Sequence, residues 1–184
     1  MGLNGTFFDV QHMHAPAGEP ATFALHDPQG LDAQGYLTDF TINSALESGF
    51  TTGNTLDLTY LLHEYLNVTV TTDNLGVLVP EVLTKYGSGK AVSLSGMFVD
   101  SPSTYKTTTG QASATGNLQV TVSVEGEQAI QASFLGMAGT AELNAKSGKL
   151  FGKISESSIG QIDPASFKTT LGIDADQLQT EIQH

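Results

Sequence analysis

The sequence predicts an α+β protein built on a strongly twisted antiparallel sheet, and three observations predict it. Leu118, Val120, Val122 and Val124 alternate with Gln119, Thr121, Ser123 and Glu125, the period-two pattern of a strand with one apolar and one wet face. Turn signals recur about every ten residues through the middle of the chain, which favours hairpins. Three segments, 39–51, 72–86 and 163–184, instead space their apolar residues along one face of a helix.

In chain order, residues 1–10 read as a first strand. Ile42, Ala45, Leu46 and Phe50 then fall at helical spacing behind Asp39 as N-cap, with Gly53 just past the end. Leu75, Leu78, Val79, Val82, Leu83 and Tyr86 form a second stripe closed by Gly87. Pro80 within it removes a ladder hydrogen bond and presses on the carbonyl of Gly76, which predicts a bend. KAVSLSGMFVD and STYKTTT read as strands ahead of the alternating one.

After a turn at Glu125-Gly126-Glu127, Ile130, Ala132 and Phe134 are apolar in one phase and Leu135, Met137, Ala141 and Leu143 in the other. A bulge or sharp coil near Gly136 and Gly139 would reconcile the two phases. Ser147-Gly148 reads as a hairpin turn into KLFGKISES. Asp163 as cap and Pro164 at the first helical position then open a last helix through Phe167, Leu171, Ala175, Leu178 and Ile182. That stripe is still running when the chain stops, which predicts a piece of a longer protein, and 184 residues suit one domain over 1–184.

Composition narrows the function. The net charge is −12 and all seven basic residues are lysines, so no arginine fork grips phosphate, and nucleic acid and anionic membranes are poor partners. Without cysteine there is no disulfide, thiolate catalysis or cysteine-based metal site. His12 and His14 would share a face of an extended segment, with His26 nearby in sequence, but the following Ala-Pro-Ala-Gly indicates a loop and no carboxylate cluster accompanies them. YGSGKAVS fails the phosphate-loop pattern, with Thr84 and Ala91 at the diagnostic positions. Asp174, Asp176 and Glu181 read as a solvated helical face, and no serine sits in a Gly-x-Ser-x-Gly elbow. The expectation is no metal, no cofactor and no enzyme activity. Asn4 and Asn67 match the Asn-x-Thr glycosylation pattern.

Five segments carry a family likeness: GTFFDVQHMHAPAG, YLTDFTINSALESG, VTTDNLGVLVPEVLTKY, ASFLGMAGTAELNAKSGKLFGKI and SSIGQIDPASF. In that order and spacing they resemble the C-terminal half of the bactericidal/permeability-increasing protein family, which includes lipopolysaccharide-binding protein and the plasma lipid transfer proteins. The resemblance implies a tubular lipid-binding domain: a half-barrel of twisted strands wrapped around a long helix, with a bent second helix and an apolar slot for acyl chains. It also implies that the long helix and further strands continue beyond the last segment, and that the parent protein is secreted. The family's endotoxin-binding basic tip belongs to its other half and does not carry over.

The implied slot would be walled by Leu75, Leu78, Val79, Val82, Leu83, Tyr86, Phe167, Leu171, Leu178 and Ile182, and would hold phospholipid or fatty acid. Its partners would be lipid and the N-terminal half of the parent protein or another subunit. The same stripes have an ordinary reading as core packing. The alternative is therefore a scaffold module with a filled interior that binds partner proteins.

Overall fold

The computed structural model describes residues 38–108, 110–146 and 149–183, leaving aside the side chains of 143–146 and 149–151. The expected first strand at 1–10, His12, His14, His26, Asn4 and the Ser147-Gly148 turn lie outside the described residues. Within them the fold is α+β, an open eight-stranded antiparallel sheet with five helices. The helices are α1 (Asp39–Thr51), α2 (Leu58–Leu66), α3 (Thr72–Leu78), α4 (Pro80–Tyr86) and α5 (Ala175–Ile182). The strands are β1 (Leu56–Asp57), β2 (Val92–Phe98), β3 (Thr104–Thr108), β4 (Gln111–Val124), β5 (Glu127–Lys146), β6 (Lys149–Ser158), β7 (Gln161–Ile162) and β8 (Lys168–Thr169). Their order is β1-β2-β4-β5-β6, with β3 on β4 and both β7 and β8 on β5.

The chain divides into two compact units, each described by itself. The first gathers the described residues up to 54 with 101–116 and 138–157; the second gathers 55–100, 117–137 and 158–183.

In the first unit β3 pairs with the start of β4, Thr104 opposite Thr115 through Thr108 opposite Gln111. Helix α1 covers the predicted span, but its cap and buried face differ from expectation. Thr38 is the N-cap, accepting the Thr41 amide, while the Asp39 carboxylate accepts from Thr107 of β3. The buried side chains are Thr41 and Ser44; Ala45 is exposed, and Ile42, Leu46 and Phe50 are half-buried.

The second unit holds the core. The alternation at 118–124 forms β4, whose partner β2 sets Val92 opposite Val124 and Leu94 opposite Val122. Glu125 and Gly126, at φ 50° and 88°, make the tight turn into β5, where two successive positive φ values match the twist of the paired strands. At Gly136 φ is +72°, and its amide donates to the Asn117 side chain at 2.8 Å. The strand therefore departs from extended geometry at the glycine where the apolar phase was expected to switch.

Two expected helices are corrected. The stripe over 72–86 is two helices rather than one bent helix. Val79, at φ −132° and ψ 86°, stands outside both, and Pro80 opens α4. A proline disfavours helical backbone in the residue before it, and its missing amide is harmless at a helix start. The helix expected from Asp163 begins only at Ala175, capped by Asp174 through the Gln177 amide at 2.8 Å. Asp163 caps a single turn, accepting the Ala165 amide on its side chain. Lys168 and Thr169 then pair with Gln131 and Ile130 as β8, and Gly172 at φ +80° separates them from α5.

Helix α2, absent from the sequence reading, is held by an Asp57 N-cap and by Asn67 in the left-handed conformation at its C-terminus. It buries none of its residues, and Tyr60, Leu61, Tyr65 and Leu66 are exposed.

Gly76 lets α3 close on α4, because a Cβ there would run into the Leu83 side chain. Gly76→Ala should lose about 1–2 kcal/mol in urea unfolding, the overpacking cost less the helix propensity gained. Adding Leu83→Ala should make the Gly76→Ala step close to neutral, a non-additivity that a double-mutant cycle measures.

Candidate functional site

Between the helices and the ladder of the second unit lies a cavity of about 180 Å³. Leu75, Leu78 and Val79 line it from α3 and its end, and Leu178 and Ile182 from α5. The sheet contributes Leu94 of β2, Val120 and Val122 of β4, and Ile130, Ala132 and Phe134 of β5. Every lining side chain is apolar, so nothing in the wall can polarise, protonate or attack a substrate. Leu78 is 51% exposed and carries the lining out to solvent, whereas Val79 beside it is 2% exposed.

Four polar clips hold the helical wall. Thr71 and Asn74 form a reciprocal capping box at the start of α3. Thr72, fully buried, exchanges hydrogen bonds with the backbone of Lys90. The Asp73 carboxylate accepts from Ser88 Oγ at 2.6 Å and the Gly89 amide at 2.9 Å, so the YGSGK segment is the expected helix stop and turn, folded back on α3. On α5, Gln177 Nε2 donates to Glu81 Oε1 at 3.0 Å and Glu181 Oε1 at 3.1 Å, tying α4 to α5. The second oxygen of each carboxylate is buried without a hydrogen-bond partner.

The ten stripe residues take four different places. Leu75, Leu78, Val79, Leu178 and Ile182 line the cavity. Val82 is 0% exposed in closed core, and Leu83 fills the notch at Gly76. Phe167 and Leu171 pack against the core cluster without lining the cavity. Tyr86 packs against the same cluster and sends its hydroxyl to Glu127 Oε1 at 3.2 Å and Thr170 Oγ1 at 3.1 Å.

Lys85 completes that clamp, with Nζ 3.0 Å from Glu127 Oε1 and 4.8 Å from the centre of the Tyr86 ring. The hydrogen bond to Glu127 raises the Lys85 pKa above its ordinary 10.5, and the bonds from Lys85 and Tyr86 lower that of Glu127 below its ordinary 4.5. The sheet side of the lining went unnamed as a site in the sequence reading. Its signal was present in the alternation of Val120 and Val122 and in the first phase of β5.

Among the described residues no group of three or more His, Asp or Glu could hold a metal ion, and no helix is long and apolar enough to cross a membrane. Asn67 is exposed together with Val68 and Thr69. No protein-family model, curated protein or solved structure matches the chain. The family likeness rests on the five segments.

Val82→Ala should lower unfolding stability by about 2 kcal/mol, two buried methyl groups and a residual void, whereas Leu78→Ser should cost far less. The Glu127 contact stabilises the fold above the carboxylate's ordinary pKa and is lost as pH falls through the lowered one; its Lys85 side is lost only as pH rises through the raised lysine value. The Tm difference between the wild type and Glu127→Gln should therefore be present at neutral pH and vanish on acidification.

Proposed function

We propose that the second unit is a non-enzymatic binding domain for the end of an acyl chain, in a protein related to the bactericidal/permeability-increasing and lipid transfer family. The observation that carries this reading is the cavity of about 180 Å³ with an apolar lining from three walls. An apolar void of comparable size stays dry and takes up a hydrocarbon guest. At about 30 Å³ per water-sized group, the space corresponds to roughly six methylenes of one chain. Burying them is worth about 5 kcal/mol before ordering costs, so the cavity alone supports weak binding of one tail end rather than both tails of a phospholipid. Exposed Leu78 is the side from which the rest of the chain would leave.

The resemblance supplies the rest of the reading: a half-barrel whose slot is longer than this cavity, a secreted parent protein and a lipid carried without chemistry. The alternative, an assembly module, draws on α2, which buries none of its residues and leaves Tyr60, Leu61, Tyr65 and Leu66 exposed.

Titration with cis-parinaric acid tests the reading. The wild type should enhance the probe's fluorescence saturably, and Ala132→Leu, which fills the cavity from β5, should abolish this while keeping or raising Tm. Equal probe binding by the variant, or none by the wild type with no lipid retained in native mass spectrometry, overturns the reading in favour of the assembly module.

A further inference from the structure

We propose that α1 is a guard on the outer edge of β3, and that removing its two strand-facing side chains lets β3 pair with a second copy of the chain. Strand β3 uses one edge for β4. Its other edge presents the Tyr105 amide and carbonyl and the Thr107 amide, the backbone groups that would otherwise recruit another strand. Asn43 takes the first pair: its Nδ2 donates to the Tyr105 carbonyl at 2.8 Å and its Oδ1 accepts the Tyr105 amide at 2.6 Å. Asp39 takes the second, accepting the Thr107 amide at 2.9 Å and the Thr107 hydroxyl at 2.5 Å.

The spacing explains why a helix can do this. Four residues of helix rise about 6.0 Å, and two residues of strand about 6.8 Å, so Asp39 and Asn43 meet alternate residues of β3 with little adjustment. The pairing runs backwards, Asp39 to Thr107 and Asn43 to Tyr105, as an antiparallel strand would. An amide side chain carries one donor face and one acceptor, so Asn43 stands in for a peptide unit. Its position is otherwise hard to account for, because asparagine is a poor residue inside a helix.

The partner is a second copy because strand addition uses backbone groups that every unguarded copy would expose, and β3, TYKTT, is rich in strand-forming residues. In a symmetric antiparallel pair centred on β3, Lys106 would oppose its counterpart, a second and weaker brake that salt would relax.

The test is Asp39→Ala/Asn43→Ala, read by sedimentation velocity and by amide hydrogen exchange. The wild type should be free of β3-mediated dimers. The double variant should dimerise, more at high salt, and its Tyr105 and Thr107 amides should exchange about tenfold faster at dilutions where it is monomeric. Adding Thr107→Pro should restore the monomer, because that amide faces away from β4 and its loss spares the β3–β4 ladder. If the double variant loses its helical signal, the near-isosteric Asp39→Leu/Asn43→Leu, which removes both acceptors and replaces asparagine by a good helix former, is read by the same two measurements. Unchanged exchange at both amides overturns the guard. Faster exchange in a chain that stays monomeric at high salt overturns the pairing.

Discussion

Everything in the second unit depends on covering one apolar face of the β2-β4-β5 ladder. Val92, Val122, Val124, Ile130 and Ala132 are buried there, and Val82 and Leu178 pack on them from α4 and α5, with Val79 from the break between α3 and α4. Paired backbone is stable only where the hydrophobic face it presents is removed from water, so the ladder and its helical cover form together or not at all. The polar contacts are secondary to this. The Thr72 exchange with Lys90, the Asp73 clip and the Gln177 bridge fix where each helix lies on the ladder. They act at the ends of α3, α4 and α5, where backbone and side-chain polar groups need partners in any case.

The break at Val79 sets what the cover can seal. Because the residue before a proline leaves helical geometry, the chain redirects between Leu78 and Pro80. Val79 is driven inward while Leu78 remains half in solvent, one residue apart. Beneath them the ladder offers Val120, Val122 and Ala132, too short to fill the space under Leu75, Leu178 and Ile182. Longer side chains would close it at a gain in stability, so the void is a choice of residue sizes rather than a consequence of the fold.

Local patterns were legible in the sequence and non-local ones were not. The alternation through Val124, the turn at Glu125-Gly126 and the phase switch at Gly136 are properties of neighbouring residues, and the chain shows each where the pattern put it. The spacing of Phe167 and Leu171 misled because the same four-residue step fits a turn followed by a short strand. Thr169 is held by Ile130 and Ala129, partners that no local pattern reveals. Helix α2 was missed because it buries nothing, although Asp57 and Asn67 mark both of its ends. The cavity was half legible for a deeper reason. A ligand wall and a packed core require the same apolar residues at the same spacing, and only the third dimension tells Leu75 on the cavity from Val82 in the core.

Two helices meet strand edges through amide side chains, and the parallel between them is informative. Gln179 of α5 accepts the Ile162 amide at 2.6 Å and donates to the Gly160 carbonyl at 3.2 Å, as Asn43 of α1 does for both groups of Tyr105. A short strand such as β7 has too few ladder bonds to hold itself, and a rigid amide that satisfies its outer edge lends it the partner it lacks. A hydroxyl can take both groups too, as Thr59 of α2 accepts the Leu94 amide at 2.6 Å and donates to the Leu94 carbonyl at 3.3 Å, but it makes both bonds from one oxygen, whereas an amide sets donor and acceptor on separate atoms as a peptide does. Satisfying a backbone pair and denying it to another chain are thus performed by the same two atoms. An edge capped this way is stable in isolation for the same reason that it is closed to partners.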